Sequence, residues 1–439
     1  MLASINGRYA WPYVPALIAA AGLFLVSGTR VGADPITRGL DFVVIAAIAY
    51  IGLQIVPLPA AIVSTASPAT SDLQDAYALA PFGVWRPISV HPAATREALG
   101  LAITAALIFW TSRECFSRGG TRAAARLLAW IGFACALVSL AQRATAPATV
   151  LWKWPLPDPR ITTFGPFVNR DHLATWLVLA ISLVTGYLMM HVRAHMTARM
   201  RQGTHATLIA LSDAGALVVL GSIGAMLLTL AATLSRSGFV ALVAAAVVGA
   251  SMTRRNRARG IWVGVAAAAA MVAIAAWMNL EGFAERLVTT LSRPEAESVG
   301  RLTIWQETLR LMRTFPLFGT GQGTFADAMF VYQQTARHVL FNQAHNEYLQ
   351  LAAEGGVLML AMVVAGLVLL ARAAKLRLAG DDGSHRFVRI GACAGLAAVG
   401  VQSIWETGLR APANLLLAAI LAGLAIVDRR DSTSEITPR

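Results

Sequence analysis

Long apolar runs separated by short polar segments dominate the chain. A helix needs about 20 predominantly apolar residues to cross a hydrocarbon core of about 30 Å. By this criterion the pattern predicts membrane spans near residues 11–28, 40–57, 96–112, 124–142, 171–191, 207–233, 237–252, 261–280, 346–371, 387–406 and 411–427. We therefore predict an all-α polytopic membrane protein, a bundle of about 11 to 12 transmembrane helices.

Two of these runs need a further argument. Residues 206–252 carry hardly a charge, and one helix of that length would extend roughly 70 Å at about 1.5 Å per residue. The segment must fold back once, and we place the turn at residues 235–238, which read Ser-Arg-Ser-Gly. No A-x-A cleavage site follows the run at 11–28, so we interpret it as a spanning helix and not as a signal peptide.

Arginine clusters between the apolar runs predict the topology, because short cytoplasmic loops concentrate basic residues. Such clusters lie near 113–126, 193–201, 254–259 and 372–389. Alternation then places four segments on the outer side: residues 58–95, residues 143–170, the turn at Arg236 and residues 281–345. The C-terminus is predicted to be cytoplasmic and, for an odd number of spans, the N-terminus to lie outside.

One longer polar segment interrupts the series of spans. The predicted organisation is eight spans in 1–280, an outer insertion at 281–345, three spans in 346–427 and a cytoplasmic tail at 428–439. Within the insertion, Arg301, Trp305 and Leu309 recur at i, i+4 and i+8, which fits one helix face. We therefore predict short amphipathic helices packed on the outer face of the membrane.

Composition agrees with a membrane location. Of the 439 residues, 56% are hydrophobic and 13% are charged, and the mean hydropathy is +0.61. The net charge of +13 falls in clusters between apolar runs, which favours membrane topology over nucleic-acid binding as its explanation. Cys115, Cys135 and Cys393 are too scattered for a metal site, so we interpret them as packing residues.

The predicted topology brings Arg170, Arg236, Arg301 and His345 to the same side of the membrane. Two guanidinium groups suit a pyrophosphate, because their planar forks of donors match phosphate oxygens. An imidazole can accept a proton near neutral pH. Each residue also has a structural interpretation. An arginine at a helix end can extend to the interface, Asp171 can pair with Arg170 or cap the following helix, and a histidine before a helix can serve packing.

Several catalytic patterns are missing from the sequence. It contains no D-x-D, H-E-x-x-H, P-loop or G-x-S-x-G motif, so metal-dependent hydrolysis, nucleotide binding and serine hydrolysis have no support. We predict no metal site and no cofactor. Gly319, Gly321 and Gly323 are predicted to form a turn, since glycine accepts positive φ and no predicted strand precedes them as in a phosphate-binding loop.

Residues 301–356 contain the patterns R-x-x-x-W, P-x-x-G-x-G-x-G-x-F and A-H-N-x-Y-L-Q-x-x-x-E-x-G. Upstream lie W-R-P-I-S at 85–89, F-V-N-R-D-H at 167–172 and L-S-R-S-G at 234–238. Together these motifs resemble the O-antigen ligase and polymerase superfamily of bacterial envelope glycan transferases, over roughly residues 80–360. They are specific for the superfamily and separate its members poorly.

The resemblance implies an inner-membrane enzyme with a periplasmic active site and a glycan donor linked through pyrophosphate to undecaprenol. Members transfer the glycan to lipid A core, to another glycan chain or to a protein hydroxyl, and we favour the ligase over the polymerase. By position, His345 matches the essential histidine of the outer loop, and Arg236 and Arg170 match pyrophosphate-binding arginines. Asp171 stands where many relatives have Asn. The remaining matched positions, with structural or acceptor-side roles, are Arg301, Trp305 and Asn346.

Two other classes of function stay open. A lipid or solute transporter generally places ionisable groups near mid-membrane and often carries internal repeats. Here the predicted spans are almost free of charge, no repeat is visible, and the candidate residues cluster at the outer face. A non-catalytic scaffold of an envelope assembly machine is the other alternative.

Overall fold

The computed structural model describes residues 13–77, 83–155, 163–199, 214–253, 294–335, 340–381, 383 and 385–428. Helices dominate this part of the chain, and the two sheets in it are ribbons of two strands. The first helices are α1 Tyr13–Ser27, α2 Arg38–Leu53, α3 Ala60–Ala66, α4 Pro68–Tyr77, α5 Pro92–Ser117, α6 Thr121–Thr145 and α7 Arg170–Arg199. They are followed by α8 Ala214–Thr233, α9 Arg236–Met252, α10 Pro294–Thr314, α11 Phe325–Tyr332, α12 Glu347–Ala379, α13 Arg386–Gln402 and α14 Pro412–Ile426.

The short strands are antiparallel pairs in the loops. Strand β1 (Leu58–Pro59) pairs with β2 (Trp85–Arg86), and β3 (Thr149–Val150) pairs with β4 (Trp154–Pro155). The predicted all-α fold class is therefore confirmed.

Every predicted span except 261–280 coincides with a helix, and 261–280 lies outside the described residues. Helices α5, α6, α7, α8 and α12 are long and apolar enough to cross a membrane, whereas α1, α9 and α14 are shorter apolar helices. The protein is thus a multi-pass membrane protein. The predicted fold-back after the sixth span is observed, because α8 ends at Thr233 and α9 begins at Arg236.

Helix α7 forms the centre of the bundle. It packs against α6, α8, α9, α13 and α14, and its leucines and valines, such as Leu173, Leu177 and Val184, are fully buried. A helix that is apolar on all sides belongs inside a bundle and not at its lipid-facing surface. The first turn of α7 is thereby fixed relative to the starts of α9 and α14.

Basic side chains meet acidic partners at one end of the bundle. Arg113 at the end of α5 pairs with the buried Asp41 of α2 at 2.9 Å. Arg377 near the end of α12 pairs with Asp34 and, at 2.6 Å, with Asp428. These contacts bring the predicted cytoplasmic segments around 113–126 and 372–389 to the same end as the chain beyond α14.

Helix α12 is interrupted near its start, where Gly356 has φ 65° and ψ −170°. Val357 N donates to Pro316 O at 2.9 Å, and Gly321 N donates to Glu354 O at 2.9 Å. A break in a membrane helix requires new partners for the freed backbone groups. The loop after α10 supplies them, so the break anchors the inserted segment to the bundle. The uninterrupted span predicted at 346–371 missed this break.

We expect Gly356→Ala to lower the stability of the folded protein strongly. A Cβ at this position would lie 2.1 Å from Leu317 O, and a left-handed conformation costs a non-glycine residue about 1–2 kcal/mol before any clash. The unfolding midpoint in detergent, measured by intrinsic fluorescence, should fall by several degrees. Gly366→Ala in the same helix is the matched control, because its Cβ would meet only Val43 and Leu40 at 3.7 Å or more. Equal midpoints for both variants would contradict the anchoring role.

Candidate active site at one end of the bundle

The predicted site residues Arg170, Arg236, Arg301 and His345 gather at one end of the bundle. Arg170 begins α7, Arg236 begins α9, and His345 lies two residues before α12. Arg113 and Arg377 mark the other end, because α5 and α12 finish there. The structure therefore brings these candidate residues, which are far apart in the chain, to the same end of the bundle.

The starts of α7 and α9 are joined by Asp171. Ser235 caps α9, where its Oγ accepts from Gly238 N at 3.1 Å. The same hydroxyl donates to Asp171 Oδ1, and the other carboxylate oxygen lies 4.0 Å from Arg170 Nε. Asp171 thus holds the turn before α9 against α7. Arg170 and Arg236 are in consequence neighbours at two adjoining helix N-termini, which favour anions.

Arg170 and Arg236 both reach the surface of this end. Arg236 is exposed, and the Arg170 side chain is 36% exposed. The residue that precedes the cap, Leu234, has φ 52°, a left-handed conformation that is unusual for a branched side chain. Such strain persists only where the surroundings enforce it, and here Ser235 N is tied to Thr233 Oγ1 at 3.2 Å.

His345 occupies a constrained position with φ 48°. The preceding residue, Ala344, is held from both sides. Its carbonyl accepts from Trp305 Nε1 at 3.0 Å, and its N–H donates to Gln350 Oε1 at 3.0 Å. Trp305 therefore fixes the His345 loop from α10.

Asn346 has a local role in the same loop. It is the N-cap of α12, and its Oδ1 accepts from Leu349 N at 3.0 Å. A cap of this kind stabilises a helix by about 1 kcal/mol. The structure thus assigns Asn346 to the start of α12, beside the imidazole.

The end of α13 connects the arginine pair to the His345 loop. Gln402 Nε2 donates to Ser237 Oγ at 3.3 Å, next to Arg236. Ser403 O accepts from Glu347 N at 2.9 Å, two residues after His345. The end of α13 therefore contacts both the start of α9, which carries Arg236, and the loop that carries His345.

Glu406 lies beside two of the predicted site residues, and the sequence did not reveal it. It is only 2% exposed. Its Oε1 accepts from Arg301 at 2.6 Å, and its Oε2 lies 3.6 Å from His345 Nδ1. The prediction placed Glu406 at the end of the span 387–406. In the structure α13 ends at Gln402, and Glu406 lies in the loop that follows. The sequence did offer one signal for this residue, because an acidic residue stands where the predicted span 387–406 ends and just before the span 411–427 begins, on the predicted outer side.

His172 is a second imidazole near the site. It closes the F-V-N-R-D-H motif, is 5% exposed and lies within electrostatic range of His345. Neither ring nitrogen has a hydrogen-bond partner among the described residues. Its backbone carbonyl accepts from Asn414 Nδ2 at 2.9 Å, which ties the start of α7 to α14.

A network of charged side chains lies beside the first turns of α12. Arg410 pairs with Glu347 at 2.9 Å and with Glu354 at 2.8 Å. Burial by itself lowers the pKa of Arg410, but the two carboxylates outweigh burial and raise its pKa. The guanidinium therefore stays charged. Gln322 Nε2 donates to Glu354 at 2.8 Å and extends the network to the glycine turn.

The glycine turn docks against neighbouring backbone. Gly319, Gly321 and Gly323 have φ of 67°, 107° and 85°. A Cβ on Gly319 would lie 2.3 Å from the carbonyl carbon of Glu354, and one on Gly321 would lie 2.4 Å from Ser89 Oγ. The turn brings the W-R-P-I-S motif, the insertion and α12 together. In the described part of the chain no group of three or more His, Cys, Asp or Glu residues could hold a metal ion.

Residues 221–364 match a family model described as O-Antigen ligase. The matched segment includes Arg236, Arg301, the glycine turn and His345, while Arg170 and Glu406 lie outside it. No curated protein matches the chain.

Proposed function

We propose that this membrane protein transfers a glycan from undecaprenyl pyrophosphate to an acceptor hydroxyl. The proposal starts from the match of residues 221–364 to the O-antigen ligase family model, a resemblance that the motifs also predicted. The family match supports a glycosyltransferase of the ligase or polymerase type. The proposed site is the bundle end that holds His345, Arg236 and Arg170, on the periplasmic face of the inner membrane. The opposite end, with Arg113 and Arg377, would then be cytoplasmic, in agreement with the distribution of basic residues.

One observation supports the proposal: the helix starts that carry the two arginines contact each other, and the end of α13 connects them to the loop that carries His345. The contact of Asp171 with Ser235 brings Arg170 and Arg236 together. A pyrophosphate carries several charged oxygens, and guanidinium groups at helix N-termini offer both charge and directed donors to it. In the proposed complex, Arg236 and Arg170 bind the donor pyrophosphate.

The proposed reaction is a displacement at the anomeric carbon. His345 accepts the proton of the acceptor hydroxyl as the oxygen attacks this carbon. The bond from the carbon to the pyrophosphate oxygen breaks, and the leaving group keeps the bonding electron pair. Since undecaprenyl pyrophosphate departs as a stable anion, no general acid is required. The arginines stabilise the charge that develops on it.

We propose lipid A core as the acceptor, because the matching family is described as a ligase. The competing acceptor is a second lipid-linked glycan, which would make the protein a polymerase. Both reactions use the same donor chemistry and the same base. Neither needs a cofactor in this mechanism.

Purified protein in detergent tests the proposal and separates the two acceptors. One reaction contains undecaprenyl-pyrophosphate glycan and lipid A core, and the other contains the lipid-linked glycan alone. We expect modified lipid A core in the first reaction and no lengthened glycan in the second. Lengthened glycan on undecaprenyl pyrophosphate in the second reaction would establish a polymerase instead, and no product in either would contradict both.

A further inference from the structure

We propose that Glu406 is a positioning residue for His345, an inference that rests on the proposed role of His345 as the base. The carboxylate fixes the orientation and tautomer of the imidazole and stabilises the charge that the ring gains during transfer. Arg301 in turn holds the carboxylate. The three side chains come from α10, from the loop before α12 and from the loop after α13.

Glu406 is buried, so its carboxylate needs partners that satisfy its charge. Its side chain is 3% exposed, and a buried carboxylate is costly unless paired and hydrogen-bonded. Arg301 satisfies Oε1 at 2.6 Å. Oε2 lies 3.6 Å from His345 Nδ1. The carboxylate is therefore held by the guanidinium with its second oxygen directed at the ring.

His345 Nδ1 is a buried polar atom that lacks a hydrogen-bond partner among the described residues, while the side chain as a whole is 34% exposed. A hydrogen bond requires a separation of about 3.2 Å or less, so a small rotation of the ring completes one to Glu406. The exposed part of the ring then carries Nε2 toward solvent and substrate.

This arrangement assigns a different role to each ring nitrogen of His345. With Nδ1–H donated to Glu406, Nε2 is the nitrogen with a free electron pair. Nε2 takes the acceptor proton and the ring becomes an imidazolium, whose positive charge the Glu406 carboxylate balances. The proton is later lost to water. A base oriented by a third group is the general arrangement for activating a hydroxyl.

Two titratable groups, Glu406 and His172, lie close to His345, and a third charged group, Arg301, pairs with Glu406. Glu406 comes from the loop after α13, Arg301 from α10, and His172 from the first turn of α7. Of these three groups, Glu406 alone carries the negative charge that favours a positive charge on the ring. Its removal leaves a guanidinium and a second imidazole without a counter-charge.

Glu406→Gln tests the proposal with a readout that needs no catalysis. Diethyl pyrocarbonate acylates neutral imidazoles, and mass spectrometry reports the labelling of His345 as a function of pH. We expect the labelling profile of His345 to move to lower pH in the variant, because the charged ring loses its counter-charge. In transfer assays kcat should fall about 10- to 100-fold, part of the contribution of a general base, with both KM values unchanged.

Glu307→Gln is the matched control. Glu307 is 2% exposed and pairs with Arg310 at 2.9 Å, so it resembles Glu406 in burial and partner but contacts Thr335 and not His345. We expect wild-type labelling for this variant. If Glu406→Gln does not fold, Glu406→Asp withdraws the charge by one methylene and should give a smaller shift in the same direction.

An unchanged labelling profile in the Glu406 variants would overturn the positioning role, whether or not transfer is observed. Wild-type protein that transfers no glycan would count against the proposed function alone, since labelling does not depend on it. Lower activity without a shift in labelling would show that Glu406 only supports the fold.

Discussion

Replacing His345 by asparagine is expected to slow glycan transfer by about 10²- to 10⁴-fold, the usual contribution of a general base, or about 3 to 5 kcal/mol of the activation free energy. The imidazole is proposed to take the acceptor proton, and an amide cannot. Asparagine is the informative substitution because His345 has φ 48°, and asparagine tolerates this conformation better than most residues. The variant therefore keeps the loop and removes the base. Single-turnover transfer at saturating donor is the measurement.

His91→Asn is the matched control for this experiment. His91 pairs with a carboxylate, Asp327, at 3.0 Å and is about half exposed, but it borders the glycine turn and not the arginine pair. It should retain wild-type transfer. A His345→Asn protein that binds donor and turns over within a few-fold of wild type would show that the base is another group, and His172 would become the next candidate.

Replacing Arg236 by alanine should lower kcat/KM for the donor by about 10²- to 10³-fold, the effect of removing one donor to a developing oxyanion. The reason is its place at the start of α9, beside Arg170 and at a helix N-terminus. The kcat/KM of Arg236→Lys should lie between those of wild type and Arg236→Ala, because an ammonium group keeps the charge but lacks the planar fork of donors. The effect should appear with the lipid-linked donor and leave KM for the acceptor unchanged.

Arg310→Ala serves as the control for Arg236. Arg310 is also partly exposed, and it pairs with Glu307 on α10, away from Asp171 and Ser235. Loss of donor turnover in both variants would indicate a general effect of positive charge. Full turnover by Arg236→Ala would remove this residue from the donor site.

The positions of the helices followed from the sequence because helix formation in a membrane depends on local apolar content. Runs such as 171–191 and 237–252 were found almost in full as α7 and α9. The fold-back was predictable from length alone, since an unbroken helix over 206–252 would have exceeded the thickness of the bilayer. The turn itself, at Leu234 and Ser235, begins one residue before the predicted residues 235–238 and ends at the first of them, because Arg236 already starts α9. The match of residues 221–364 to the O-antigen ligase family model was predictable because most of the motifs lie close together within that segment.

The contacts within the site were less predictable, because they depend on tertiary structure. Glu406 meets His345 and Arg301 only after α13 stops at Gln402, and no local pattern marks that end. The break at Gly356 was hidden for a similar reason, since its surroundings read as a continuous apolar helix. Trp305 was found by motif, yet its hydrogen bond to Ala344 O could only come from the structure.

The stoichiometry of transfer tests the central claim most directly. Protein in detergent is given a known amount of undecaprenyl-pyrophosphate glycan and lipid A core, and both joined glycan and free undecaprenyl pyrophosphate are quantified. The displacement mechanism predicts one free lipid pyrophosphate for each glycan joined, with both products lost together in His345→Asn. A protein that moves the intact lipid-linked glycan across vesicle membranes and releases no undecaprenyl pyrophosphate would be a transporter, and that result would contradict the proposed transferase.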